Sequence, residues 1–279
     1  MALMAATLFV VATPIGNLED ITFRAVRILK EVDWIACEDT RQTAKLLHHY
    51  GIGTSTLSYH EHNEMERAKD LVSRMLSGSS GALVSDAGMP LVSDPGYRLV
   101  HAAVEAGINV IALPGPSASL TALAASGLPT DQFHFGGFLP VKPGQRFNAI
   151  EAIRHEQATV IFYEAPHRIL DALADIESAL GPRQVVVARE LTKMHEEYLR
   201  GTAAEIRTAL VNRDAVRGEF TVLIGKATKP VADDTPLNDA VESCIRGGMS
   251  RMEAMKTVAR QRGLSKRDVY RSVEIEAGH

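Results

Sequence analysis

The 279-residue sequence predicts an α/β protein: two α/β domains followed by a small helical module at the C-terminal end. Three observations carry this reading. First, three apolar runs each break into a loop of Gly, Pro and small residues: Leu8 to Ala12 into Thr13-Pro-Ile-Gly-Asn17, Ala82 to Val84 into Ser85-Asp-Ala-Gly-Met-Pro90, and Val110 to Leu113 into Pro114-Gly-Pro-Ser-Ala118. Second, strand-like runs alternate with helical stripes through the first half, as in a parallel sheet. Third, a stretch rich in Pro, Asp and Thr from Lys229 to Pro236 separates the body from three short helical segments. Loops leaving the carboxyl ends of parallel strands converge on one crevice, and small residues there let a ligand approach backbone N–H groups. Three such loops predict a shared pocket.

The elements of the first domain, 1–116, follow in order. After a strand over Thr7 to Ala12, the segment Thr22 to Glu31 sets Phe23, Val26, Ile28 and Leu29 on one helical stripe. Asp33 to Cys37 is a second short strand, and Ala44 to Tyr50 a helix closed by Gly51. Glu64 to Ser77 repeats the stripe at Met65, Ala68, Leu71, Val72, Met75 and Leu76 before Gly78. Strand Gly81 to Ser85, helix Gly96 to Ala106 and strand Asn109 to Leu113 complete the series.

A small-residue helix from Ser117 to Ser126, ended by Gly127-Leu-Pro129, opens the second domain, 117–228. Strands are expected over Thr159 to Tyr163, Gln184 to Arg189, Glu196 to Arg200 and Phe220 to Gly225, with helices Arg168 to Leu180 and Ala203 to Val211 between them. The close spacing of strands after Gln184 predicts a mixed sheet. The module over 237–279 reads as helices Leu237 to Gly247, Ser250 to Gly263 and Ser265 to Ile275. Ser250 and Ser265 serve as N-caps, and Gly247, Gly248 and Gly263 as stops. With Lys266, Arg267 and Arg271 on its last helix, the module has helix-turn-helix proportions. It reads either as a nucleic-acid contact or as a helical appendage with a solvated basic face.

A hydrophobic fraction of 46% with 23% charged residues describes an ordinary soluble protein with a large core. The net charge of −4 gives no global reason to bind nucleic acid, but eight Lys and Arg against five Asp and Glu from Val241 onward leave room for a local basic surface. Cys37 and Cys244 are the only cysteines and stand in no Cys/His cluster, so neither a disulfide framework nor a zinc site is indicated, and a reduced, cytoplasmic setting is expected. Met1 to Ala12 lacks a basic leader and runs straight into the first loop, which predicts a buried strand rather than a signal peptide. No apolar stretch reaches the length of a membrane span.

Four further clusters could carry chemistry. The first loop has neither the Lys-Ser/Thr ending of a phosphate-binding loop nor a Gly-x-Gly-x-x-Gly spacing, and without a basic side chain it suits a ligand that brings its own positive charge. Glu38-Asp-Thr-Arg41 follows the second strand; its carboxylates could orient a hydroxyl or accept its proton and Arg41 hold a phosphate, unless they only start a helix. His60-Glu-His62-Asn63 places two imidazoles two residues apart, on one side of an extended segment, without a third ligand at a familiar metal spacing. Tyr163-Glu-Ala-Pro-His167-Arg168 sits at another strand end, where Glu164 and His167 either face the crevice or begin a helix.

Taken together, Val11-Ala-Thr-Pro-Ile-Gly-Asn-Leu-Glu-Asp20, Glu38-Asp-Thr-Arg41, Ser85-Asp-Ala-Gly-Met-Pro-Leu-Val-Ser-Asp-Pro-Gly96, Pro114-Gly-Pro-Ser-Ala118 and Phe162-Tyr-Glu-Ala-Pro-His-Arg168 closely resemble the tetrapyrrole methylase superfamily, from about Leu8 to Gly225. Within it the likeness is to the branch that methylates a cytidine ribose 2′-oxygen in the decoding region of 16S ribosomal RNA. The resemblance implies a homodimeric enzyme that binds S-adenosyl-L-methionine in the cleft between two α/β domains and acts on the small ribosomal subunit. It implies cofactor contacts from Pro14, from Val84, Ser85, Asp86 and Met89, and from Ser117 and Ala118, with the strand end at Glu164 bordering the cofactor. Where relatives carry Gly-Asp this chain has Ser85-Asp86, which leaves Asp86 the better match.

For methyl transfer to a ribose hydroxyl, Glu38 and Asp39 are expected as base or orienting group, Arg41 as phosphate holder, and His60 or His167 as reserve bases. Lys142, Arg146 and the C-terminal Arg and Lys residues are expected to form the RNA rim. Two other activities fit the same residues: C-methylation of a porphyrinoid, and noncatalytic RNA binding through the helical tail.

Overall fold

The computed structural model describes residues 6–227, 236–262 and 264–276, in two compact units, Met1–Lys226 and Ala227–His279. In the larger unit, β1 (Thr7–Val11), β2 (Trp34–Cys37), β3 (Thr56–Ser58), β4 (Gly81–Val84) and β5 (Asn109–Leu113) form one sheet in the order β3-β2-β4-β1-β5. Every pairing in it is parallel. α1 (Phe23–Glu31) and α2 (Thr40–His49) cover one face through Ile28, Leu29, Leu46 and Leu47; α3 (Glu64–Leu76) and α4 (Tyr97–Glu105) cover the other through Leu71, Met75 and Leu99. Helices on both faces explain why β2 and β4 are buried along their whole length, since each apolar side chain meets a helix on one side or the other. Each fully buried Leu or Ile contributes about 1.5–3 kcal/mol relative to exposure.

The second sheet runs β6 (Phe133–Phe138), β7 (Thr159–Glu164), β10 (Phe220–Ile224), β8 (Gln184–Arg189) and β9 (Glu197–Thr202) in spatial order. Only β6 and β7 are parallel; the remaining pairs are antiparallel, so the sheet is mixed as the strand spacing predicts. α6 (Pro143–Ala152), α7 (Ile169–Leu180) and α8 (Ala203–Val211) pack on one face around Ile150, Leu173, Ile176 and Ile206, and α5 (Ala118–Ser126) covers the other with Ala122 and Leu123.

The smaller unit holds α9 (Leu237–Arg246), α10 (Arg251–Gln261) and α11 (Lys266–Glu276) around Val241, Ala254, Val258, Val269 and Val273. Ser250 accepts the Glu253 N–H at 3.4 Å and Ser265 the Asp268 N–H at 3.1 Å, so both serines cap as the sequence predicts. The start of the first expected strand, Met1–Ala5, Gly263, and all of the Lys229–Pro236 stretch except Pro236 lie outside the described residues. Among the described residues no helix is long and apolar enough to cross a membrane.

Four elements depart from expectation. β3 is not among the expected strands, because its three residues, Thr56-Leu57-Ser58, carry no apolar run. α2 begins at Thr40, not Ala44, because the Asp39 carboxylate caps it by accepting the Arg41 N–H at 2.8 Å. β6 contains Gly136-Gly137 and a register shift that breaks its apolar alternation, so no period-2 signal marks it. α6 starts on Pro143-Gly144, residues that read as loop, although Pro is well suited to the first helical turn.

Candidate active site

The loops at the carboxyl ends of β1, β4 and β5 meet the strand ends of the second sheet around a cavity of about 340 Å³. The first loop is stitched to the second: Thr13 and Gly88 exchange backbone hydrogen bonds at 2.9 and 3.0 Å, and Thr13 Oγ1 donates to the Ser85 carbonyl at 2.9 Å. Its next residue but one, Ile15, leaves the first sheet altogether. It packs into the core of the second with Ala122, Leu123, Val186, Leu191 and Leu223.

Two contacts clamp that loop in place. The Asn17 N–H donates to Thr192 Oγ1 at 3.0 Å, and at Gly16 a Cβ would lie 2.5 Å from Lys193 Cγ, so only glycine fits. Lys193 in turn donates to Glu190 at 2.9 Å and to Glu219 at 3.1 Å. Glu190 and Thr192 hold left-handed φ values of 52° and 65°, a cost that persists only where surrounding contacts over-determine the backbone. The same holds in the second loop at Leu91, φ 71°, and Ser93, φ 65°.

The charge of the cavity wall is one-sided. Asp94, Glu164 and Glu219 line it, and the lining residues include no Lys, Arg or His. Burial pushes the Asp94 carboxyl up against the opposing hydrogen bond from Ser85 Oγ at 2.7 Å. Glu164 is fully buried, accepts the Ala165 N–H at 2.8 Å and an Arg168 N–H at 3.1 Å, and is also pushed up by burial. A wall of this kind repels anions and suits a cation, as the first loop alone suggests.

Of the residues expected to hold the cofactor, Met89, Ser117 and Ala118 line the cavity, and so does Glu164. Pro14, Val84 and Ser85 are buried and do not line it, and Asp86 is exposed, accepting the Asp39 N–H at 3.2 Å. Ser85 acts through its bonds to Asp94 and to the Ala87 N–H. Sequence reasoning missed Ile15 and Asp94, in the loops after β1 and β4, and Phe138, Glu219 and Phe220, which reach the cavity from the second sheet. The apolar run from Phe220 is legible as a strand, but nothing local says which end of it meets the crevice.

At the end of β2 the two carboxylates divide. Asp39 is held by Arg41, which donates through two guanidinium nitrogens at 3.1 and 2.8 Å, and its pKa falls to about 2. Of the two roles expected of Asp39, base or orienting group, its geometry fits the second: it caps α2 and orients Arg41. Glu38 moves the other way, raised first by burial and then by Asp86, Asp94 and Glu61. His60 approaches the same cluster, with Nε2 3.3 Å from Asn63 Nδ2 and Nδ1 buried without a partner. It sits in a turn rather than an extended segment, its ring 5.9 Å from that of His62. His167 is exposed and does not line the cavity. Among the described residues no group of His, Cys, Asp and Glu is arranged to hold a metal ion.

One rim residue is also corrected. Arg146 is 4% exposed and pairs with Asp175 of α7 at 2.6 Å, although Pro143, Gly144 and Gln145 before it on α6 are exposed. Lys142, just ahead of that helix, is exposed.

Residues 7–207 match the family of Tetrapyrrole (Corrin/Porphyrin) Methylases, a stretch that holds the first sheet and every strand of the second except β10. The chain belongs to this family. Its methylases are S-adenosyl-L-methionine-dependent, and a cation-selective wall fits that sulfonium cofactor. The chain is 50% identical over 271 residues to "Ribosomal RNA small subunit methyltransferase I" of Halalkalibacterium halodurans, covering 95% of this chain and 93% of that one. It is 46% identical to the protein of the same name from Streptococcus pyogenes, covering 95% and 94%. A solved tetrapyrrole methylase, the uroporphyrin-III-C-methyltransferase of Thermus thermophilus, shares the fold at a TM-score of 0.56 and 16% identity over 79% of this chain and 94% of that one.

Proposed function

We propose that this protein transfers a methyl group from S-adenosyl-L-methionine to the ribose 2′-hydroxyl of a cytidine in the decoding region of 16S ribosomal RNA, acting as a cytoplasmic homodimer on the small ribosomal subunit. The observation that carries the cofactor half is the cavity whose lining holds the carboxyl groups of Asp94, Glu164 and Glu219 and no Lys, Arg or His. Relatives named for ribosomal RNA of the small subunit support the substrate half. Held there, the cofactor supplies an electrophilic methyl group on a positively charged sulfur.

The chain's own part is to place the hydroxyl and take its proton. Alignment of reacting atoms supplies several kcal/mol of barrier reduction, about 7–11 at the upper limit. The strained second loop and the clamped first loop serve that end by fixing the wall. Glu38, at the end of β2 outside the cavity lining, is the candidate base: burial first, then Asp86, Asp94 and Glu61, disfavour its ionised form, so it holds a proton more tightly than an ordinary glutamate. Its carboxylate would accept the hydroxyl proton when the methyl group passes from sulfur to the ribose oxygen. Asp39 orients Arg41, which reaches outward with its side chain 88% exposed.

The test is transfer of radiolabel from the cofactor to small subunits from cells lacking this protein, followed by mapping of the labelled nucleotide. Label on a ribose 2′-oxygen in the decoding region supports the reading. Cofactor binding without label on the subunit overturns it in favour of a porphyrinoid substrate, and absence of cofactor binding overturns every methyltransferase reading.

A further inference from the structure

β6 ends in a bulge whose purpose the pocket alone does not explain. Its pairing with β7 is regular from Phe133 to Phe135, slips across Gly136-Gly137 and resumes at Phe138. Gly136 lies so close to the Phe162 ring that a Cβ would come within 2.3 Å, and Gly137 holds φ 67°. Bulges re-aim a side chain, and the one re-aimed here is Phe138.

Phe138 lines the cavity and yet is 56% exposed. It is also rigidly backed. Its ring lies 5.6 Å from that of Tyr163, which packs against Phe135 at 4.9 Å and accepts the Ser119 N–H at 3.2 Å through its hydroxyl. On the other side, Arg168 donates to the carbonyls of Leu139 at 2.5 Å and Pro140 at 3.1 Å while bonding Glu164. Leu139 is buried, so the exposed ring stands on a fixed base. Val141, 74% exposed, and the exposed Lys142 come next.

We infer that Phe138 is a stacking platform for an unpaired nucleobase of the RNA substrate, at or beside the ribose to be methylated, with Lys142 within reach of the flanking phosphate. This rests on the function proposed above. A flat ring with a free face, fixed in place beforehand, is what an unstacked base requires, and it works for any base because each has a π-face. The charges assign the ring to RNA rather than to the cofactor. The only basic side chain in the loop from Phe138 to Lys142 is the one at its outer end, about 14 Å away at full extension, whereas the cavity behind the ring carries carboxylates alone.

The experiment compares wild type, Phe138→Ala and Phe138→Trp on small subunits from cells lacking this protein, with cofactor affinity measured by calorimetry. Loss of one base stack predicts a KM for the subunit about 10- to 100-fold higher in Phe138→Ala. The tryptophan variant should stay within about threefold of wild type, and cofactor affinity should stay within about twofold in both, which also shows that they fold. A cofactor affinity that falls in step with the rise in KM assigns the ring to the cofactor and overturns the inference. A wild-type KM in Phe138→Ala overturns it as well. If wild type itself transfers no label to the subunit, the proposed function falls, and the inference with it.

Discussion

Replacing Lys193 by Met keeps the stem that packs on Gly16 and removes the ammonium that ties Glu190 to Glu219 and so braces the second-sheet segment against which the first loop is clamped. Of its two bonds, the one to Glu219 adds little, because that carboxylate is 76% exposed. The bond to Glu190 matters more: the two side chains are 29% and 19% exposed, and without the ammonium Glu190 keeps only the Glu219 N–H at 3.0 Å. A hydrogen bond between charged groups in such a setting contributes about 1.5–3 kcal/mol, so we expect a loss of about 2 kcal/mol. For a unit of this size that lowers the thermal midpoint by roughly 4–8 °C. Freeing the loop that carries Ile15 adds an ordering cost of about 0.5–1.5 kcal/mol to cofactor binding, which weakens affinity about 2- to 10-fold. Burial works against the Lys193 charge, but Glu190 and Glu219 raise its pKa above 10.5; Glu190 is lowered below 4.5, Lys193 prevailing over burial. The lysine's share is therefore complete below pH 10.5 and the glutamate's above pH 4.5, so the loss should be flat between those values. A variant with an unchanged midpoint and unchanged affinity would show that Ile15 alone holds the loop, and the clamp argument would fail.

Glu38→Gln should lower single-turnover methylation about 10²- to 10⁴-fold, and the wild-type rate should fall with decreasing pH through a value above 4.5, the ordinary glutamate pKa, since burial and Asp86 raise this one. A variant that keeps both its rate and that acid limb assigns the base elsewhere. Arg146→Ala should cost about 3 kcal/mol by stranding Asp175, measured by denaturant unfolding, while leaving the salt dependence of subunit binding untouched. Lys142→Ala should do the reverse, with stability within about 0.5 kcal/mol of wild type and the log–log salt slope reduced by about 0.7; equal slopes in the two variants would remove Lys142 from the rim.

Four strands of the first sheet were legible because each is an apolar run, and the Gly/Pro loops after β1, β4 and β5 pointed to the cavity; β3, with one apolar side chain in three residues, gave no such signal. Legibility failed where the backbone's reason lay elsewhere in the chain. Gly16 looks like an ordinary turn glycine, yet it is glycine because Lys193 lies against it. Arg146 looks like a surface cation in a polar loop, but its partner Asp175 is on a different helix. Glu38 and Asp39 are neighbours of the same chemical type; only the fold, by pairing one with Arg41 and by partly burying the other near Asp86 and Asp94, separates their acidities.

That separation bears on how a polyanion could be handled by a crevice of carboxylates. With Asp94, Glu164 and Glu219 on the wall and Glu38 and Asp86 nearby, each phosphate brought to within about 4 Å of one carboxylate costs about 1 kcal/mol even in water, and more where water is excluded. An RNA backbone cannot run along such a wall. For the ribose methylation proposed above, the ribose has to enter from a strand held at the rim, where phosphates meet cations and the base meets something uncharged. The residues at hand for those tasks are of the right kinds: Lys142 and Arg41 are exposed cations, and Phe138 is an exposed ring on a fixed support. The acidity that selects a cationic cofactor thus also dictates that substrate affinity be built outside the cavity. For the same reason that affinity should weaken with salt while cofactor affinity, set by partly buried carboxylates, should change far less.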